Sequence, residues 1–145
     1  MRVREYMTTK VMSLNVDGRL LDAALFIRRT GKRHIPVVNE EGKVVGIISD
    51  RDVSRLAPSM LAGMTPEEYN QVFEATPLTM AMTKDPITVG PDDMIRDAVL
   101  LFYTKKVGAL PVVEDGKVVG ILTVTDMLGL LNELLNAKKT KAEVV

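Results

Sequence analysis

The sequence predicts an α/β fold: two copies of a β-α-β-β-α unit related by a pseudo-twofold axis, each with a small sheet flanked by helices. Three observations predict it. The stretch Gly46-Ile47-Ile48-Ser49-Asp50-Arg51-Asp52 returns as Gly120-Ile121-Leu122-Thr123-Val124-Thr125-Asp126. One offset also matches Met7-Thr8 to Met82-Thr83, Asp22-Ala23 to Asp97-Ala98, Leu25 to Leu100 and Pro36-Val37-Val38 to Pro111-Val112-Val113. The order of extended and helical periodicities is the same in both halves. Dropping one residue among Asn39-Glu40-Glu41 extends the match from Gly42-Lys43-Val44-Val45 to Gly116-Lys117-Val118-Val119, and a turn tolerates such a length change best. Residues 1–57 then form the first repeat, 58–77 a helical connector, 78–135 the second repeat and 136–145 a basic flexible tail.

The elements follow in order. Val11-Met12-Ser13-Leu14 reads as a short extended piece. Asp17 is the expected N-cap of a helix over 18–30, whose stripe Leu20, Ala24, Ile27 recurs at i, i+4, i+7 and ends at Gly31. Ile35-Pro36-Val37-Val38 and Lys43 to Ile48 form a hairpin about Glu40-Glu41-Gly42, and Asp50 to Leu56 a short helix. In the connector, Thr65-Pro66-Glu67-Glu68 predicts a capping box with Pro at the first helical position, so this segment is ordered. The second repeat has an extended Pro86-Ile87-Thr88-Val89, then a helix opened by Pro91-Asp92-Asp93 with Ile95, Ala98, Val99 and Phe102 on its apolar face. A hairpin about Glu114-Asp115-Gly116 follows. The last helix starts near Thr125, carries Met127, Leu130, Leu131, Leu134 and Leu135 on one face, and frays at Lys138-Lys139-Thr140-Lys141.

Composition excludes several function classes. The 145 residues are 46% hydrophobic but only 4% aromatic, so aliphatics and nine Met fill the core. Nineteen basic and nineteen acidic residues cancel, which removes a general drive toward nucleic acid or an anionic membrane. With no Cys and one His, disulfides, thiolate zinc sites, Cys nucleophiles and multi-His metal sites are excluded. No apolar run nears the roughly 20 residues of a membrane span, and the N-terminus lacks the apolar core of a signal peptide. A cytoplasmic protein without catalytic activity is expected, since no residue set supplies nucleophile, base and charge stabiliser together.

The repeated Gly-x-x-Ser/Thr-x-x-Asp stretch carries the chemistry. A strand that stops on a hydroxyl residue and turns into a helix leaves backbone N–H groups beside that hydroxyl, and an Asp one turn on can accept from sugar hydroxyls. The plain alternative is that Ser49 and Thr123 only cap helices. The surroundings differ in charge: Lys32, Arg33 and Arg51 of the first half face Val107, Gly108 and Thr125 of the second, and His34 faces Ala109. An anionic ligand is better neutralised in the first half. His34 is either a partly exposed strand residue or a base or phosphate contact. Asp50 and Asp52 point in different directions on a helix start, and Asp92-Asp93 is most simply a charged helix start, so neither pair predicts a metal or hydrolytic site.

Together these residues resemble the CBS domain (the cystathionine β-synthase domain) in its tandem pair, the Bateman module. The resemblance is carried by Tyr6-Met7-Thr8, Asp22-Ala23, Arg33 to Val38 and Gly46 to Val53 in the first half. In the second it is carried by Met82-Thr83, Ile87-Thr88-Val89, Asp97-Ala98, Gly108 to Val113 and Gly120 to Asp126. Arg55-Leu56-Ala57-Pro58-Ser59 and Thr123 to Leu128 are similar to the acetoin-utilisation-type stand-alone CBS proteins of prokaryotes. The resemblance implies reversible binding of AMP, ADP, ATP or S-adenosylmethionine in clefts between the repeats, with no tightly held cofactor. It implies that Ser49 and Thr123 contact phosphate and that Asp52 and Asp126 hold ribose. Val11, Met12, His34 and Ile35 would shape one base slot, and Pro86, Ile87, Ala109 and Leu110 the other. It further implies a homodimer through the helices and regulation of a separate effector protein. Two other readings stay open: a ligand-free structural or dimerisation module, and a nucleic-acid binder using the basic tail with Arg28, Arg29, Lys32 and Arg33, which the neutral charge disfavours.

Overall fold

The computed structural model describes residues 1–57 and 63–144, with side chains as far as residue 137. Pro58 and Ser59, and the side chains of Lys138 to Lys141, lie outside the described residues. Two compact units emerge. Unit 2 is Met12–Ile87 with Asp115–Val118; unit 1 is Met1–Val11, Thr88–Glu114 and the chain from Val119 on.

Unit 2 holds a four-stranded sheet in the order β1 (Leu14–Asn15), β2 (His34–Val38), β3 (Val44–Ser49), β4 (Thr83–Lys84), with three helices, α1 (Leu20–Thr30), α2 (Asp50–Leu56) and α3 (Pro66–Ala75). β1 runs parallel to β2, and the other neighbours are antiparallel. Leu20, Ile35, Val37, Ile48 and Leu78 are fully buried between sheet and helices. The extra residue of the first hairpin appears as a register shift between Val37 and Val38. Unit 1 holds α4 (Ile95–Lys105), α5 (Val124–Val144), β5 (Ala109–Glu114) and, from Val119 on, β6 (Lys117–Thr123), over a core that includes Val3, Leu110, Val112 and Leu122. Asp115 and Gly116 both take left-handed φ, 53° and 81°, as a tight hairpin turn requires.

Each repeat's leading segment completes the other repeat. Thr83 pairs with Ile47, and Thr8 bridges to Ile121. The Leu20 N–H donates to the Thr76 carbonyl and the Leu78 N–H to Gly18; the equivalent bonds are Ile95 to Met1 and Val3 to Asp93. This exchange explains why unit 1 begins at Met1 and unit 2 extends to Ile87.

Two helix starts differ from expectation. Asp17 is not an N-cap: its N–H donates to the Asn15 side chain at 2.9 Å, so the turn begins at Asn15. The cap is Arg19, whose N–H donates to Asp22 Oδ2 at 2.8 Å. Pro91-Asp92-Asp93 does not enter α4. Asp93 Oδ2 accepts the Gly90 N–H, the Arg4 and Val3 amides hold the Pro91 and Asp93 carbonyls, and the helix starts after Met94. Acidic residues before a helix resemble a first turn in sequence, but here local and exchanged partners had already taken their polar groups. Thr65 does accept the Glu68 N–H, with Pro66 at the first position. Gly31 is the left-handed stop of α1 at φ 70°. The backbone of α5 continues helical through Val144.

Candidate functional site

Both motifs fold into the same local structure. The Asp52 N–H donates to Ser49 Oγ at 3.2 Å while Asp52 Oδ2 accepts the Ser49 N–H at 2.8 Å. Thr123 and Asp126 repeat this pair at the same 3.2 and 2.8 Å. This reciprocal capping box explains why Asp follows the hydroxyl by three residues, so the spacing alone does not require a ligand. The two carboxylates differ in their second oxygen. Asp52 Oδ1 pairs with Arg55 Nη2 at 3.1 Å. Gly129 stands at the position matching Arg55, and among the described residues no bond to the second oxygen of Asp126 is recorded.

The glycine that opens each motif is fixed by packing. A Cβ on Gly46 would lie 2.5 Å from Met82 Sδ and 3.1 Å from the Thr83 carbonyl oxygen; on Gly120 the neighbours are Met7 Sδ at 2.6 Å and Thr8 O at 3.0 Å. The exchanged segment therefore crosses directly over each motif. Sequence reasoning missed this role of Met7 and Met82, although their match at one repeat position was the available signal.

In unit 2 the structure gathers Arg33, His34, Ser49, Arg51 and Asp52. His34 stands opposite Ser49 in the β2–β3 register, and the Asp50 N–H donates to the Arg33 carbonyl at 3.0 Å. Burial is the main influence on the half-buried His34 ring and lowers its pKa. Asp50 and Asp52 pull it back up, and Arg33 and Arg51 push it further down. In unit 1, Gly108 is exposed and its carbonyl accepts the Val124 N–H at 3.1 Å, while Ala109 is buried beside it.

The expected base slots are less uniform. Ile35 and Leu110 are fully buried and serve the core. Val11, Pro86 and Ile87 are half-buried, and Met12 is 59% exposed. Met12 lines a groove of about 440 Å³ against α1, with Phe26 and Arg29, that no motif residue lines. Among the described residues no group of three or more His, Asp or Glu is placed to hold a metal ion, and no helix is long and apolar enough to cross a membrane.

Two copies of one α/β unit, each with a capped Gly-x-x-Ser/Thr-x-x-Asp turn under an exchanged edge segment, define a tandem-repeat α/β architecture. The family model described as CBS domain matches residues 3–59 and 78–133, and the chain belongs to that family. A CBS domain-containing protein of Dictyostelium discoideum is 27% identical over 92% of this chain and 92% of its own length. The chain spans only 26% of the uncharacterized protein MJ1404 of Methanocaldococcus jannaschii, to which it is 33% identical over 82% of this chain. It spans 15% of the A-adding tRNA nucleotidyltransferase of Aquifex aeolicus, at 32% identity over 92% of this chain. Among solved structures it is similar to a putative acetoin utilization protein (AcuB) from Vibrio cholerae, with 28% identity, a TM-score of 0.77, and coverage of 97% of this chain and 96% of that one. The protein CBSX2 in complex with AMP gives 25% identity and a TM-score of 0.75, covering 92% and 97% of the two chains.

Proposed function

We propose that this chain is a non-catalytic regulatory module of the cytoplasm that binds an adenosine-containing ligand reversibly at its Gly-x-x-Ser/Thr-x-x-Asp turns. The observation that carries the reading is Asp126. Its carboxylate is half-buried and oriented by the Thr123 N–H, and its second oxygen has no recorded bond among the described residues. An oriented carboxylate with an unused acceptor suits a ribose diol. The AMP complex of CBSX2, 25% identical to this chain, supports the ligand class.

The module acts on a separate effector through a homodimer whose geometry responds to ligand. Support for the dimer comes from matched grooves. In unit 2 the groove over α1 and α2 is covered by Tyr69 and Phe73 of α3. In unit 1 no described residue covers the matching groove of about 460 Å³ in this way, and Val99, Tyr103, Leu128, Leu131 and Leu134 stay exposed along it. Arg28, Asp50 and Ser54 of the first repeat are replaced there by Tyr103, Val124 and Leu128, so the face has become apolar where its counterpart is polar. The same face supports a second reading, a dimerisation module without ligand.

Calorimetry with AMP, ADP, ATP, S-adenosylmethionine and NAD separates the two. Binding of at least one adenosyl ligand is expected, and Asp126→Asn should weaken it about tenfold or more. Asn keeps a carbonyl for the cap but replaces the free acceptor with a donor. Silence across the panel leaves the dimerisation reading in its place.

A further inference from the structure

The two motifs share a backbone and differ in their side chains. The carbonyl before the strand holds the first helical N–H at 3.0 Å in unit 2 and 3.1 Å in unit 1, and the caps have equal lengths. Side chains can therefore be compared position by position. Arg33, His34 and Arg51 of unit 2 stand where unit 1 has Gly108, Ala109 and Thr125. Arg33 and Arg51 are exposed and lie within electrostatic reach of the His34 ring, which itself faces Ser49 across the strands. Of the nearby carboxylates, Asp52 is held in its cap and by Arg55; Asp50 accepts the Arg51 N–H, lines the groove against α1 and α3, and also lies within electrostatic reach of His34. At the matching positions of unit 1 the charge is the carboxylate of Asp126 alone.

A polyphosphate needs cations, and guanidinium groups supply them with paired N–H donors. Beside Asp126 it would meet a like charge and no matched arginine. Resting on the adenosyl reading above, we propose that the two motifs take different ligands. The unit 2 motif takes an adenosine carrying a di- or triphosphate, gripped by Arg33, His34 and Arg51; the unit 1 motif takes an adenosine ligand without phosphate. The chain would then compare two adenosyl species rather than count one twice.

Calorimetry on the full chain tests this, with ATP and adenosine as probes. In the wild type, saturating ATP should leave adenosine binding in place. The triple variant Arg33→Gly/His34→Ala/Arg51→Thr, which writes the unit 1 residues onto unit 2, should lose at least tenfold in ATP affinity and less than twofold for adenosine. The reverse pair Gly108→Arg/Thr125→Arg, at exposed positions, should raise ATP stoichiometry from one to two per chain, which keeps the claim testable if the triple variant folds poorly. Competition of the two probes for one site overturns the inference, as does an unchanged ATP affinity in the triple variant; both leave the adenosyl reading standing. A wild type that binds neither probe overturns the inference; the adenosyl reading falls with it only when AMP, ADP and S-adenosylmethionine are silent too.

Discussion

Placing a methyl group on Gly46 tests the packing of the exchanged segment over the motif. The new Cβ would lie 2.5 Å from Met82 Sδ and 3.1 Å from the Thr83 carbonyl oxygen. Ordinary contact is about 3.5–4.0 Å, so the sulfur overlap exceeds about 1 Å. The methionine can swing away, but the Thr83 carbonyl belongs to backbone paired in register with Ile47 and cannot. Overpacking of this kind costs about 1–3 kcal/mol, while replacing a strand glycine returns about 0.5–1 kcal/mol of backbone entropy. The difference for Gly46→Ala is a net loss of up to about 2.5 kcal/mol, with a midpoint of about 1 kcal/mol. At about 2–4 °C per kcal/mol for a chain of this size, Tm should fall by up to about 10 °C, and by about 2–4 °C at the midpoint. Thermal unfolding followed by circular dichroism reads it. Gly129→Ala is the control: nothing lies within 4 Å of that added methyl, so helix propensity should stabilise the variant by about 1 kcal/mol. In a Met82→Ala background the cost of Gly46→Ala should shrink, because the two changes share one contact. If Gly46→Ala is as stabilising as Gly129→Ala, the account of why the motif opens with glycine is refuted.

Further predictions concern pH and assembly. His34 has a lowered pKa because of burial, so between that value and the usual ~6.5 the unfolded chain binds the extra proton. Stability from the neutral ring is fully present above ~6.5 and is lost as pH falls through this window. The drop in Tm between pH 8 and 5.5 should be smaller in His34→Ala, and equal drops would count against a burial effect. Leu131 is 49% exposed on α5, so Leu131→Asp should fold with little penalty while shifting the chain to monomer in sedimentation velocity. A wild type already monomeric at about 100 µM would remove the homodimer from the proposal.

Much of this molecule was legible before its coordinates. The hairpins, α1, α5 and the duplicated unit follow from periodicity, because strands and helices bury one face and the repeat shows each pattern twice. The candidate site was legible as a motif but not as geometry. The sequence places Ser49 with Asp52 and Thr123 with Asp126 through spacing along the chain. It does not show that each Asp is already engaged in a reciprocal cap, or that Arg55 holds one of them while, among the described residues, no matching side chain holds the other.

The tertiary structure alone decided which segment completes which repeat. In sequence Met7-Thr8 opens the first copy and Met82-Thr83 the second, and each would be assigned to the hairpin that follows it. In the fold each pairs with the other copy's hairpin, Thr8 with Ile121 and Thr83 with Ile47. Edge pairing is chosen by main-chain hydrogen bonds, which every residue but proline offers equally, so composition carries no record of the partner. Only the glycines under the two methionines register the exchange in the sequence, and their reason became visible once the crossing segment stood above them.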